Sequence, residues 1–262
     1  MINGRVTSGV GVFLTLTAFA PQAFGQVLHT NDRWDECAID LHPSLTQQAW
    51  SRFASELGIV TYFRPLASAR PLGRKHVEVA LLNWGSRIDD ADPAWNDTFS
   101  HPDSAHWLMD GSSLYIPGLM ARAGITDRID VGAYITRSPG ANYGFIGGQL
   151  QYSLVNDPER RLAAAGRLSV VTLYGPDEME ASTFGLEFVA STAVSVIEPY
   201  IALSGYMSRA RETSPDVDLD NETAFGAQAT AGVAAQVSVL RLGAEFNLAK
   251  VPGVSLKVGF GL

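Results

Sequence analysis

From residue 59 onward, apolar and polar residues alternate with a period of two, in segments bounded by Gly, Pro, Asn, Asp or Ser. Successive side chains of a strand point to opposite faces, so this pattern predicts strands with one apolar and one polar side. Eleven segments carry it, at 59–67, 75–86, 113–124, 127–138, 142–155, 162–175, 179–191, 195–209, 222–234, 237–250 and 253–262. The clearest runs late in the chain, where Leu240, Leu242, Ala244, Phe246 and Leu248 oppose Arg241, Gly243, Glu245 and Asn247. The same split sets Ile129, Val131, Ala133 and Ile135 against Asp130, Gly132, Tyr134 and Thr136, and Phe184, Leu186 and Phe188 against Gly185 and Glu187.

A soluble sandwich also alternates, with its apolar face turned inward. Length separates the two readings. Most of these segments are about twice the ~5–6 residues usual in globular strands, and they suit a tilted transmembrane strand of ~10 residues with extensions. After Gln26 no apolar run approaches the ~18 residues of a spanning helix, so any membrane crossing must be a closed barrel. The expected fold is therefore all-β, a closed antiparallel transmembrane barrel of about 10–12 strands over residues 59–262. Single-chain bacterial barrels have even strand numbers. Either the first segment, interrupted by Pro65, stays out of the wall and leaves ten, or a strand within 87–112 makes twelve.

Residues 26–58 hold one helix candidate, about 45–57. Ser44-Leu45-Thr46-Gln47 fits a capping box, and Gly58 can close the helix. Leu45, Ala49, Trp50, Phe53, Ala54 and Leu57 share a face opposite Gln48, Arg52 and Glu56. A rod of ~20 Å fits in or below a lumen. Packing under the periplasmic rim is the expectation, because a plug helix would need polar contacts around it. Residues 1–25 read as a cleaved secretory signal: Arg5, an apolar stretch Val10 to Ala20, then Pro21 and Ala23-Phe24-Gly25. That apolar stretch is too short for a membrane span of ~20 residues.

Composition narrows the function. A formal charge of −8 argues against the basic stripe of a nucleic-acid binder. The single cysteine, Cys37, supplies no disulfide framework and lies too far beyond Gln26 to be a lipid attachment point. Catalytic candidates are His42-Pro43-Ser44 and His101-Pro102-Asp103-Ser104 with His106, all off the strands, while His76 stands alone at a strand start. A nucleophile needs a base in reach and a third group to orient that base, and neither motif supplies both; no catalytic residue is assigned. The acidic runs Asp216-Val217-Asp218-Leu219-Asp220-Asn221-Glu222 and Asp89-Asp90-Ala91-Asp92 lack the glycine and final Glu of a calcium loop. They read as solvated loops, and no metal or cofactor is assigned.

The polar faces carry charge at mid-strand positions: Glu78, Asp130, Arg167, Glu187, Glu198, Arg241, Glu245 and Lys257. In a barrel these eight face a wet lumen. Confined charge is costly unless paired, so Arg167, Arg241 and Lys257 are each expected to meet a carboxylate. Trp84, Trp95, Trp107 and Tyr115 are expected at the membrane interfaces.

The chain ends in Val254-Ser255-Leu256-Lys257-Val258-Gly259-Phe260-Gly261-Leu262. With the signal and the long alternating strands, this resembles the bacterial outer-membrane β-barrel superfamily, whose last strand alternates up to an aromatic that the barrel insertion machinery reads. Val258, Phe260 and Leu262 are the corresponding insertion signal here, with the aromatic two places from the end. The resemblance implies an outer-membrane location, contact with membrane lipid and lipopolysaccharide, and a periplasmic C-terminus with loops 87–112 and 209–222 outside. It suits a narrow pore or charge-closed barrel for small solutes, or a structural or surface barrel. A lipid-modifying hydrolase is the alternative.

Overall fold

In the computed structural model, residues 38–89, 91–100, 109–110, 113–137 and 141–262 are described. The signal segment, Cys37, Trp107 and the His101–His106 motif lie outside the described residues.

Ten strands form the barrel wall: β1 Val77–Arg87, β2 Ser113–Gly124, β3 Ile129–Arg137, β4 Gly144–Asp157, β5 Leu162–Tyr174, β6 Met179–Thr192, β7 Ile197–Glu212, β8 Glu222–Val237, β9 Leu240–Leu248 and β10 Gly253–Gly261. Each is antiparallel to the next, and β10 returns to β1 with Val258 opposite Leu81 and Val254 opposite Gly85. The closure runs to the last residue, where Leu262 and Val77 exchange backbone hydrogen bonds of 2.8 and 3.0 Å. A closed ladder leaves no edge, which is what a sheet in hydrocarbon requires.

The outer wall carries the apolar parity. Leu81, Ile201, Leu203 and Phe225 are 65–74% exposed, and Leu186, Phe188, Leu256, Val258 and Phe260 share their surface. So wide an apolar surface belongs in lipid, not water. Turns 125–128, 158–161, 193–196 and 238–239 join strands at one end, whereas 88–112 and 213–221 are the long connections at the other. Short turns mark the periplasmic end of such barrels and long loops the outer one.

The segment 59–67 is not a wall strand, which resolves the odd count in favour of ten. Pro65 cannot donate to a ladder, and residues 61–69 are all buried. They form a strap of irregular backbone inside the lumen, following helix α1, Gln47–Val60. The α1 boundaries also differ from the sequence reading. Thr46, not Ser44, is the N-cap and accepts from the Ala49 N–H at 3.3 Å. Gly58 does not end the helix; it lies within it, where an added Cβ would sit 2.5 Å from the Tyr206 ring. Glycine there lets the helix lie directly on the wall.

Helix α1 sits within the long-loop half of the barrel, not under the short-turn rim. Its apolar face finds apolar partners there, because residues 91–100 of the 88–112 connection fold inward and supply helix α2, Pro93–Asn96, and Phe99. Trp50 stacks on Phe53 at 5.6 Å, Phe53 meets Trp95 edge-on at 5.1 Å, and Trp95 stacks on Phe99 at 5.8 Å. Two of the expected interfacial aromatics are therefore interior residues. Trp95 belongs to this cluster, and Trp84 is stacked on Tyr134 at 4.2 Å inside the lumen. Tyr115 alone of the described three lies on the lipid-facing parity, near the long-loop end.

Leu186→Arg and Leu203→Arg, near the middle of β6 and β7, should each cost ~2–4 kcal/mol, and Val239→Arg, exposed in the 238–239 turn, at most ~1 kcal/mol. Urea unfolding in lipid vesicles checks the depth dependence; equal costs at all three sites would contradict the assigned belt.

Candidate functional site

α1 and the strap descend from the long-loop mouth to the short-turn end, and the wall grips them at successive levels. At the mouth Gln47 donates to Glu222 Oε1 at 2.5 Å and accepts from the Asp220 N–H at 2.8 Å, while Trp50 Nε1 donates to the Asp220 carbonyl at 3.1 Å. The acidic run 216–222 thus uses backbone and one carboxylate to hold the helix. Glu56 accepts from Trp95 Nε1 at 2.6 Å and pairs with Arg52 at 3.0 Å and Lys250 at 3.2 Å. Arg52 also pairs with Asp92, the N-cap of α2. Glu178, in a loop at this mouth, accepts from the Leu41 N–H at 2.6 Å. Burial holds its carboxyl above the usual range; the Leu41 bond opposes this and nearby Asp40 and Asp216 add to it.

Lower down, the strap meets charge. Arg167 is the centre: Nη2 donates to the Ala67 and Ser68 carbonyls at 2.8 and 2.7 Å, Nη1 to Glu187 at 2.6 Å and Nε to Gln151 at 2.7 Å. Ser204 Oγ donates to the second Glu187 oxygen at 3.0 Å. Irregular backbone has no ladder of its own, so its buried carbonyls need such donors. Next, Lys257 donates to Glu78 at 2.6 Å, and Arg122 bridges Glu78 and Asp130 at 3.3 Å each. Asp130 accepts from the Leu72 N–H at 2.9 Å, which fixes the end of the strap. Glu198 pairs with Arg70 at 3.3 Å and also accepts from Ser68 Oγ.

Of the eight charges read from the sequence, Glu78 with Lys257 and Arg167 with Glu187 come together as buried pairs. Glu245 makes no ion pair with a described residue; it accepts from Tyr200 OH at 2.8 Å and Asn247 Nδ2 at 2.9 Å. Arg241 meets no carboxylate among the described residues. Its ladder neighbours across β8 and β10 are Gln236 and Gly259, so neither adjacent strand sets an acid directly opposite it. Nor are all eight at mid-strand: Glu78, Asp130, Glu198 and Arg241 are each the second residue of their strand, at the short-turn end. Charge is concentrated in that half, and aromatics fill the other.

Sequence reading missed Arg64, Arg70 and Arg122. Arg122 stands directly across from Glu78 in the β1–β2 ladder, as Arg167 stands across from Glu187 in β5–β6. Register was the missing signal. Arg64 is fully buried on the strap, 5.9 Å over Trp84, with Nη2 donating to the Ile59 carbonyl at 2.6 Å. Leu66 holds a left-handed φ of 48° against Gly243, a conformation that only tight packing sustains in a branched residue.

The hydrolase motif is wired in the wrong order. Ser44 Oγ lies 2.7 Å from His42 Nδ1 and donates to Asp97 at 3.0 Å, so serine sits between imidazole and carboxylate. A relay needs histidine in that middle place. Val258, Phe260 and Leu262 all face outward, at 51%, 57% and 80% exposure.

No protein-family profile and no curated protein matches the chain. Among solved structures, an outer-membrane channel from Pseudomonas putida F1 aligns at 10% identity and TM-score 0.43, over 76% of this chain and 100% of that one. The β domain of the Bordetella autotransporter BrkA aligns at 11% and 0.40, over 72% and 98%. LpxR from Salmonella typhimurium aligns at 9% and 0.36, over 71% and 99%. These are likenesses of barrel architecture.

Arg167→Met should destabilise the barrel by ~3–5 kcal/mol, because it strands Glu187 and two strap carbonyls in a buried site, and Arg167→Met/Glu187→Met should recover part of the loss. Loss of heat-modified mobility on gels with rising temperature measures both. A single variant as stable as the parent would remove Arg167 from the centre of the network.

Proposed function

We propose that the protein is an outer-membrane barrel held shut by its own N-terminal segment, a charge-closed surface barrel that conducts no solute at rest. The observation that carries this is the strap: residues 61–69 are all buried, and Arg167 holds two of their carbonyls in the barrel interior. Eight strands fill their own interior with side chains, and ten leave extra space. Helix, strap and the infolded part of loop 88–112 occupy that space.

The lipid belt fits a membrane, and the outward-facing Val258, Phe260 and Leu262 on the closing strand fit a signal for the insertion machinery. The outer rim joins loop 88–112 to the segment that precedes the helix: Ala38 and Ile39 pair with Ser100 and Phe99 there. The described chain therefore starts at the long-loop end, and the surface role is assigned to that rim, where lipopolysaccharide is the nearest lipid.

Planar-bilayer recording tests the closed state. The purified protein should add no discrete current steps, and Arg167→Ala should produce intermittent openings as the strap loosens. Regular steps from the parent protein would assign it to the open pores instead.

A further inference from the structure

We propose that the short-turn end of the lumen holds a binding site for a phosphate-class oxyanion, built around Arg241. A cavity of about 170 Å³ lies there, lined by Arg70, Glu78, Arg122, Glu198, Arg241 and Lys257 among others. That is far more room than the ~10–15 Å³ a single water needs. Val196, in the 193–196 turn, and Gln236 stand at its edge and are exposed, so it is reached from the short-turn side.

Four of the lining groups are cations and two are carboxylates, and the carboxylates are taken. Glu78 is shared by Lys257 and Arg122, and Glu198 is paired with Arg70. Asp130, behind Arg122, is engaged by that arginine and by the Leu72 N–H. Counting Asp130, one positive charge is left over, and it falls to Arg241. This guanidinium makes no ion pair with a described residue, and its Nε is buried without a hydrogen-bond partner. It is held in place by the wall, close against Gly261.

A partly buried arginine without a counter-charge is costly, and an incoming anion removes that cost. The guanidinium fork matches the oxygens of a carboxylate or phosphate. Several cations line one small space, which favours a tetrahedral anion with oxygens in several directions over a planar carboxylate that one fork would satisfy. A free phosphate in the periplasm and the headgroup of an inner-leaflet phospholipid share this chemistry.

The full chain in maltoside micelles, free of phosphate, is titrated with inorganic phosphate and followed by calorimetry. Saturable binding is expected, weakened roughly tenfold or more in Arg241→Gln, while Arg211→Gln at the long-loop end leaves it unchanged. Gln236→Glu, at an exposed edge of the cavity, should weaken binding without disturbing the fold and serves if Arg241→Gln does not fold. Glycerol phosphate and short-chain phosphatidylglycerol separate the sources: equal affinity for both assigns the free anion, and an Arg241-dependent gain with the lipid assigns the headgroup. Absence of saturable phosphate binding, or binding unaffected by the cavity substitutions, would overturn the site.

Discussion

A ten-stranded barrel encloses more space than the side chains of its own wall can fill, and every other feature of this protein answers to that volume. Left open, it would be a water-filled channel. Here chain that precedes β1 is drawn through it, and the cost is a stretch of irregular backbone whose carbonyls and amides have no ladder. The wall must therefore supply donors and acceptors at defined heights. Arg167, Asp130, Ser191 and Ser208 do so, binding strap or helix backbone from four different strands.

The two halves of the lumen solve the filling problem differently. In the long-loop half an aromatic cluster around Phe53 and Trp95 packs like the core of a soluble domain, and an inward-folded loop completes it. In the short-turn half the filler is thin, and long charged side chains reach inward from the wall to meet it. Buried ion pairs contribute little net stability once desolvation is counted, but removing one partner is severe. Such a network fixes one position of the strap more than it strengthens the barrel. This also explains why Arg241 can persist without a partner only beside a cavity: a polar space, rather than packed protein, surrounds its head group.

Most of the wall was legible in the sequence. The alternation in β3, β6 and β9 assigned lipid and lumen faces correctly, since one face of each strand is held to a single chemistry by the membrane. What was not legible depends on register and on the path of the chain through space. Arg122 looks like any polar residue of β2 until β1 is laid beside it with Glu78 opposite. The stretch 59–67 is as apolar as a wall strand because a buried strap and a buried strand need the same composition; only Pro65 hinted otherwise. Trp84 and Trp95 have the residue type of interfacial anchors, but parity and an infolding loop place them inside. The helix was found from its spacing, while its lodging within the barrel depended on aromatic partners more than thirty residues away in sequence.

The central claim is that the segment after α1 lies against the inner wall. Thr61 and Thr183 test it, because their hydroxyls meet at 2.8 Å inside the lumen across 122 residues of sequence. Cysteines at both positions, with Cys37→Ser to leave no other thiol, place two sulfur atoms within disulfide reach. Peptide mapping by mass spectrometry after mild oxidation of the membrane-embedded protein should find the 61–183 crosslink in nearly every molecule. Two free thiols that label readily from the aqueous side would show an unoccupied lumen and contradict the account.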